Sequence, residues 1–186
     1  MSLAAQRFTH ISADTYLASE NDGPWRREFV NGVVYAMAGT SANHNLILGA
    51  IMVSVSQKAE PPCQTFVSDM KLKIKTNDQE RYYYPDLFVA CDPNDQDPYF
   101  RNSPKLVVEV LSPTTERIDR LEKFEAYKLL PSLEEYVLVS QDAIALEVFR
   151  RRTGWQRESY VFDNVVTLES VGLSTSISTF FKRVQF

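Results

Sequence analysis

Two acidic residues stand where a strand-forming chain accommodates them least easily. Asp86 ends the run Tyr82-Tyr83-Tyr84-Pro85-Asp86, and Glu109 interrupts Leu106-Val107-Val108-Glu109-Val110-Leu111. Aromatic and β-branched residues favour strands, and a lone carboxylate among them is expensive to desolvate unless it has a partner or a task. The stretch from Tyr82 to Tyr136 therefore constrains the chain most. It must build a sheet and also satisfy, or use, two charges within it.

The surrounding pattern supplies the rest of the expected architecture. Ala13 to Glu20, after Ser12 as a cap, reads as a helix ending before Asn21-Asp22-Gly23-Pro24. Arg27 to Val30 and Val33 to Ala38 form a hairpin, because Asn31-Gly32 accepts the two positive φ values of a type I′ turn. Ser41 or Asn43 caps a helix reaching about Ala59, apolar almost all round and so expected to be buried, and Pro61-Pro62 stops it. From Phe66 the period becomes two, placing Met70, Leu72 and Ile74 on one face and Asp69, Lys71, Lys73 and Lys75 on the other. After Asn77-Asp78 the next strand runs from Arg81 to Ala90, and Cys91 to Pro104 is a polar loop. Lys105 to Leu111 is a central strand. Ser112 to Thr115 leads into a helix from Glu116 to Leu130, and Pro131 ends it. Glu135 to Val139, Ile144 to Phe149 and Trp155 to Phe162 are further strands, and the tail from Val166 is strand-like with a last helical turn.

This order gives a single domain over residues 1–186, an α/β fold of α+β type in which helices flank a central mixed β-sheet with extra antiparallel strands. The net charge of -4 argues against generic adhesion to polyanions. Local basic groups remain at Arg26-Arg27, Lys71/Lys73/Lys75, Arg150-Arg151-Arg152 with Arg157, and Lys182-Arg183, although such runs are commonly solvated faces. Cys63 and Cys91 lie outside any C-x-x-C pair or zinc-ligand spacing. With no leader-like N-terminus and no long apolar span, the cytoplasm is the expected compartment and no membrane contact is expected. Self-association, most simply as a homodimer, is expected from apolar residues late in the chain, Ile177, Phe180 and Phe181.

Asp86 and Glu109 lie on successive strands and converge if those strands are neighbours. Paired carboxylates suit a hard divalent ion; the alternative is that both are solvated strand-end charges. On the next helix Asp119, Arg120, Lys123 and Tyr127 share one side, where Lys123 either reaches the same place or pairs with Asp119 in solvent. His44 starts the apolar helix, where a hydrogen-bonding role competes with a metal or base role.

Tyr84-Pro85-Asp86, Val107 to Thr114, Asp119-Arg120 with Lys123 and Tyr127, and Glu135 to Val139, with Glu28, Asn31-Gly32 and His44, resemble a restriction-endonuclease-like family of small bacterial proteins in the PD-(D/E)XK nuclease superfamily. The resemblance runs from about Tyr16 to the C-terminus. It implies a restriction-endonuclease-like core and a metal-dependent endonuclease that hydrolyses phosphodiester bonds of nucleic acid, with DNA the expected substrate and Mg²⁺ or Mn²⁺ the cofactor. It makes Asp86 and Glu109 metal-binding acids and Glu28 an auxiliary one. The third position of the motif, Lys in the superfamily, is Leu111 here, so the resemblance implies that Lys123 replaces it, with Tyr127 hydrogen-bonded nearby. Leu111 and the acidic charge support a different class, a catalytically inactive nuclease-fold protein that binds or regulates.

Overall fold

The computed structural model describes residues 10–22, 26–37 and 39–186. The expectations placed on residues 1–9, on the Gly23-Pro24 stop and on Ala38 fall outside them. Helix α1 (Ala13–Asp22) precedes the hairpin of β1 (Arg27–Val30) and β2 (Val33–Ala36). Asn31 and Gly32 adopt φ of 48° and 93°, the turn that Asn-Gly specifies. Tyr16 is fully buried against Phe29 and Tyr82, and its hydroxyl donates to the Arg27 carbonyl, which ties α1 to β1. Helix α2 (Ala42–Ser56) is capped by Ser41, whose Oγ accepts the His44 N–H at 3.1 Å.

The two strands expected from Phe66 and from Arg81 to Ala90 are each broken in the middle. β3 (Gln64–Val67) and β4 (Lys71–Lys75) replace the first, and β5 (Glu80–Tyr83) and β6 (Leu87–Ala90) the second. Pro85 has no N–H to give a ladder, and Ser68 bends the partner strand at φ 50°. The chain then adds β7 (Phe100–Arg101), β8 (Pro104–Leu111), β9 (Glu135–Ser140), β10 (Ala145–Arg150), β11 (Arg157–Val161), β12 (Val165–Leu168) and β13 (Leu173–Ser176). Two main sheets result, β2-β1-β5-β4-β7 and β11-β10-β9-β8-β6-β3, beside a β12-β13 ribbon. The broken ribbon crosses from one main sheet to the other. Pairing is antiparallel except for β8 with β9 and β4 with β7, so the architecture is mixed as expected, with two sheets where one was anticipated.

β8 is central in the larger sheet. Its Leu106, Val108 and Val110 pack with Ile47, Leu48, Ile51 and Val55 of α2, whereas Val107 and Leu111 face the opposite cluster with Tyr83, Tyr127 and Tyr136. Alternation along the strand puts Glu109 on that second side.

Several expectations need correction. α2 ends at Ser56, and only one face is buried; Leu46 and Val53 are exposed. Lys71 is buried rather than solvated, with its ammonium over the Tyr84 ring, and desolvation lowers its pKa. Ile177, Phe180 and Phe181 belong to the core against α2, with α5 (Ser178–Phe181) closing it, so they offer no surface to a second subunit. The Arg150-Arg151-Arg152 run is consumed internally: Arg150 joins Glu135 and Glu158, Arg151 donates to the carbonyls of Leu130 and Leu133, and Arg152 pairs with Glu169.

Cys63 and Cys91 form a disulfide, a pairing not foreseen from the sequence. They extend the β3-β6 pairing by one residue beyond Gln64 and Ala90. Closing a loop over a separation of 28 residues restricts the unfolded chain. Reduction, or Cys63→Ser with Cys91→Ser, is therefore expected to lower unfolding free energy by roughly 2–4 kcal/mol, read as a lower urea midpoint with and without reductant.

Candidate active site

The break in the ribbon creates the site. Where β5 stops and β6 begins, the N–H groups on either side of Pro85 have no ladder partners, and buried N–H groups must find acceptors. Tyr84 N donates to Glu28 Oε1 at 3.1 Å, and Asp86 N donates to Glu109 Oε2 at 3.1 Å. The antiparallel register Leu87↔Val108 brings Asp86 beside Glu109, and the Val110 N–H donates back to Asp86 Oδ2 at 2.7 Å. The two expected acids thus converge, each held by the other's strand, and Glu28 arrives from β1. His44 Nε2 lies 3.0 Å from Asp86 Oδ2, while His44 Nδ1 is buried without a hydrogen-bond partner among the described residues. His44 therefore positions Asp86.

The helix expected from Glu116 to Leu130 ends at Tyr127 and is not uniform. α3 (Glu116–Ile118) widens into a π-turn over Asp119–Lys123 before α4 (Phe124–Tyr127). Such turns are rare and often accompany functional sites. Tyr136 OH donates to the Asp119 carbonyl at 3.0 Å inside this turn. Asp119, Lys123 and Tyr127 face the acids, whereas Arg120, expected on the same side, turns away to Glu116 and Glu147.

Lys123 Nζ sits 3.3 Å from each of Glu109 Oε1, Glu28 Oε1 and Asp119 Oδ1. Tyr127 OH donates to Glu109 Oε1 at 3.0 Å. The Asp119 pairing is present but buried, not in solvent: Glu109 is 3% exposed, Asp119 2% and Lys123 7%. Sequence reasoning gave Asp119 only the solvated role. Its i,i+4 spacing to Lys123 was the visible signal; the burial depends on the sheet beneath.

Four carboxylates, Glu28, Asp86, Glu109 and Asp119, surround one ammonium. Burial, reinforced by Asp119 and Asp86, raises the Glu109 pKa well above the usual carboxylate range despite Lys123. Burial raises Asp119 as well. Burial alone would depress Lys123, but Glu109, Glu28 and Asp119 more than offset it and hold the ammonium charged far into alkali. Burial and Glu109 push the Tyr127 hydroxyl up, so it acts as a donor.

Leu111, at the position where the resemblance leads one to look for a lysine, packs in the apolar cluster beside Tyr127. The ammonium comes from the helix instead. Glu28, His44, Asp86, Glu109, Asp119 and Lys123 line a cavity of about 280 Å³ open to solvent. Among the described residues no group of three or more His, Cys, Asp or Glu side chains is set to hold a metal ion. The donors nevertheless fit a hard cation in kind, because Mg²⁺ commonly takes one or two carboxylates with water and phosphate completing its shell. An acid excess around one lysine favours such an ion.

Residues 13–178 match the family model described as "Uma2: Putative restriction endonuclease". The chain belongs to this family. Two Synechocystis relatives, the uncharacterized proteins slr1290 and sll1609, are each 32% identical; the first match covers 96% of this chain and 95% of the relative, the second 76% and 81%. A crystal structure from Anabaena variabilis, described as a "putative nuclease belonging to DUF820", superposes with a TM-score of 0.68 at 20% identity, over 92% of this chain and 98% of that one. That likeness shows that the two chains share a fold. No described helix is long and apolar enough to cross a membrane.

The burial of Glu109 and Asp119 fixes a pH dependence. Both acids have folded pKa values above their unfolded ones, so the folded state holds protons that the unfolded state releases. The contribution of these two groups to stability is then greatest below about pH 4 and falls as pH rises through the folded values. Glu109→Gln is expected to flatten this decline in urea-unfolding series from acid to neutral pH. Lys123→Met, which strands the acids without their cation, is expected to destabilise by about 3–5 kcal/mol at neutral pH.

Proposed function

We propose that this member of the Uma2 family is a metal-dependent endonuclease that hydrolyses phosphodiester bonds of nucleic acid, DNA foremost. The observation that carries the reading is the ammonium of Lys123, delivered from the π-turn to 3.3 Å from Glu109 while the strand position at Leu111 is apolar. This is a charge placed by tertiary structure beside a carboxylate pair, in a chain of a family described as "Putative restriction endonuclease".

Asp86 and Glu109, with Glu28 beside them, would hold one or two Mg²⁺ or Mn²⁺ ions. Such an ion would supply Lewis acidity there, to water and to the scissile phosphate. The protein's own groups do the rest. Lys123 orients the attacking water and stabilises negative charge growing on the phosphate oxygens. Tyr127 and the Asp86 N–H hold the two oxygens of Glu109 in place. His44 and the Val110 N–H both hold a single oxygen of Asp86, Oδ2. Asp119 steadies Lys123.

Purified protein is expected to cleave oligonucleotides only with Mg²⁺ or Mn²⁺ present. Asp86→Asn is expected to abolish cleavage, and Lys123→Met to slow it by about 100-fold or more, with folding checked by circular dichroism. Folded wild-type protein that binds Mn²⁺ through Asp86 yet cleaves no DNA or RNA would instead identify a binding protein on a nuclease fold.

A further inference from the structure

The chemistry of the cavity wall narrows the class of substrate. Among the described residues five carboxylates line it, Glu28, Asp86, Glu109, Asp119 and Glu122, against a single ammonium, Lys123, and no arginine. Duplex nucleic acid is gripped chiefly by Lys and Arg on its phosphates, and this mouth offers no such track. Of the basic groups singled out in the sequence, Arg26 pairs with Asp69, Arg27 with Glu20, Lys73 and Lys75 lie against Glu80, and Arg150, Arg151 and Arg152 hold the β9–β10 end together; none of these lines the cavity.

An aromatic group takes the place of that track. Tyr35 is 51% exposed on β2, the edge strand of its sheet, and lines the cavity. The β1–β2 register sets Tyr35 directly opposite Glu28, so both side chains leave the same face with neighbouring Cβ atoms. Glu28 in turn touches Lys123. Met37 and Ile118, also part-exposed, extend the apolar rim, and the hydroxyls of Thr40, Thr114 and Thr115 supply hydrogen-bonding groups around it. An exposed ring within one residue pair of the acids is a surface on which a base stacks, and stacking accepts any base because each has a π-face.

Resting on the nuclease reading, we propose that Tyr35 stacks an unpaired nucleobase next to the scissile phosphate, so that the substrate is single-stranded or locally unpaired nucleic acid rather than intact duplex. The recessed position of Glu109, Asp119 and Lys123 agrees with this, since a flexible strand can enter a cavity that a rigid duplex only covers.

The test is equilibrium binding, independent of turnover. Oligonucleotides carrying 2-aminopurine, as single-stranded DNA, single-stranded RNA and duplex DNA, are titrated with the full chain in Ca²⁺ and in chelator. The expected result is tighter binding and fluorescence quenching for a single strand, DNA or RNA, than for duplex. Tyr35→Ala is expected to weaken single-strand binding by roughly 5- to 150-fold, the equivalent of one base stack, and Tyr35→Phe to leave it unchanged. Duplex bound as tightly as single strand, no binding of any oligonucleotide, or a Tyr35→Ala variant that binds like wild type would overturn the proposal, whether or not cleavage occurs. Conversely, Tyr35-dependent single-strand binding without Asp86-dependent cleavage would remove the nuclease reading and leave only the stacking contact with single strands standing.

Discussion

The interruption of the β-ladder at Pro85 is the constraint on which the site depends. A proline in the middle of a strand run removes one donor and lets the chain leave one sheet for another, and the N–H groups on either side then need acceptors. Glu28 and Glu109 provide them, from β1 and β8. The same carboxylates form the chemical centre, so the fold solves a backbone problem and a functional one with the same atoms. Any relaxation that rejoined the ladder would disperse the acids.

The resulting charge cluster is an unusual thing to keep inside a protein. Buried ion clusters seldom exceed well-packed apolar residues in stability, because desolvation consumes most of the Coulombic gain. Here the balance is further skewed by four acids facing one lysine, with Asp119 Oδ1 buried and without a well-directed hydrogen bond. An arrangement this uneven marks a site organised for something other than cohesion. The cohesion comes instead from the two apolar clusters on either side of β8.

What the sequence made legible was local. Asn31-Gly32 named its turn, Ser41 its cap, and Leu106 to Leu111 a central strand, because each property follows from a few adjacent side chains. The convergence of Asp86 with Glu109 was also within reach, since it required only that successive strands pair. The split of the ribbon was less so, although Pro85 carried the signal; the alternation through Leu72 and Ile74 was strong enough to hide that Phe66 and Leu72 serve different sheets. Lys71 shows the limit of period-two reasoning, because its outward face is covered by the Tyr84 ring, a neighbour set by the crossing of two sheets. The Cys63–Cys91 bond needed the β3–β6 register, which no spacing rule contains.

The π-turn at Asp119–Lys123 has an evolutionary corollary. Winding these five residues as an ordinary α-helix, with none removed, would swing everything after them by roughly 100° about the axis. Tyr127 would leave Glu109, and Phe124 would leave its stack on Tyr136. A homologue of equal length therefore keeps these side chains in place only by keeping the wide turn, whereas one that is a residue shorter here would keep them by winding the segment as an ordinary α-helix.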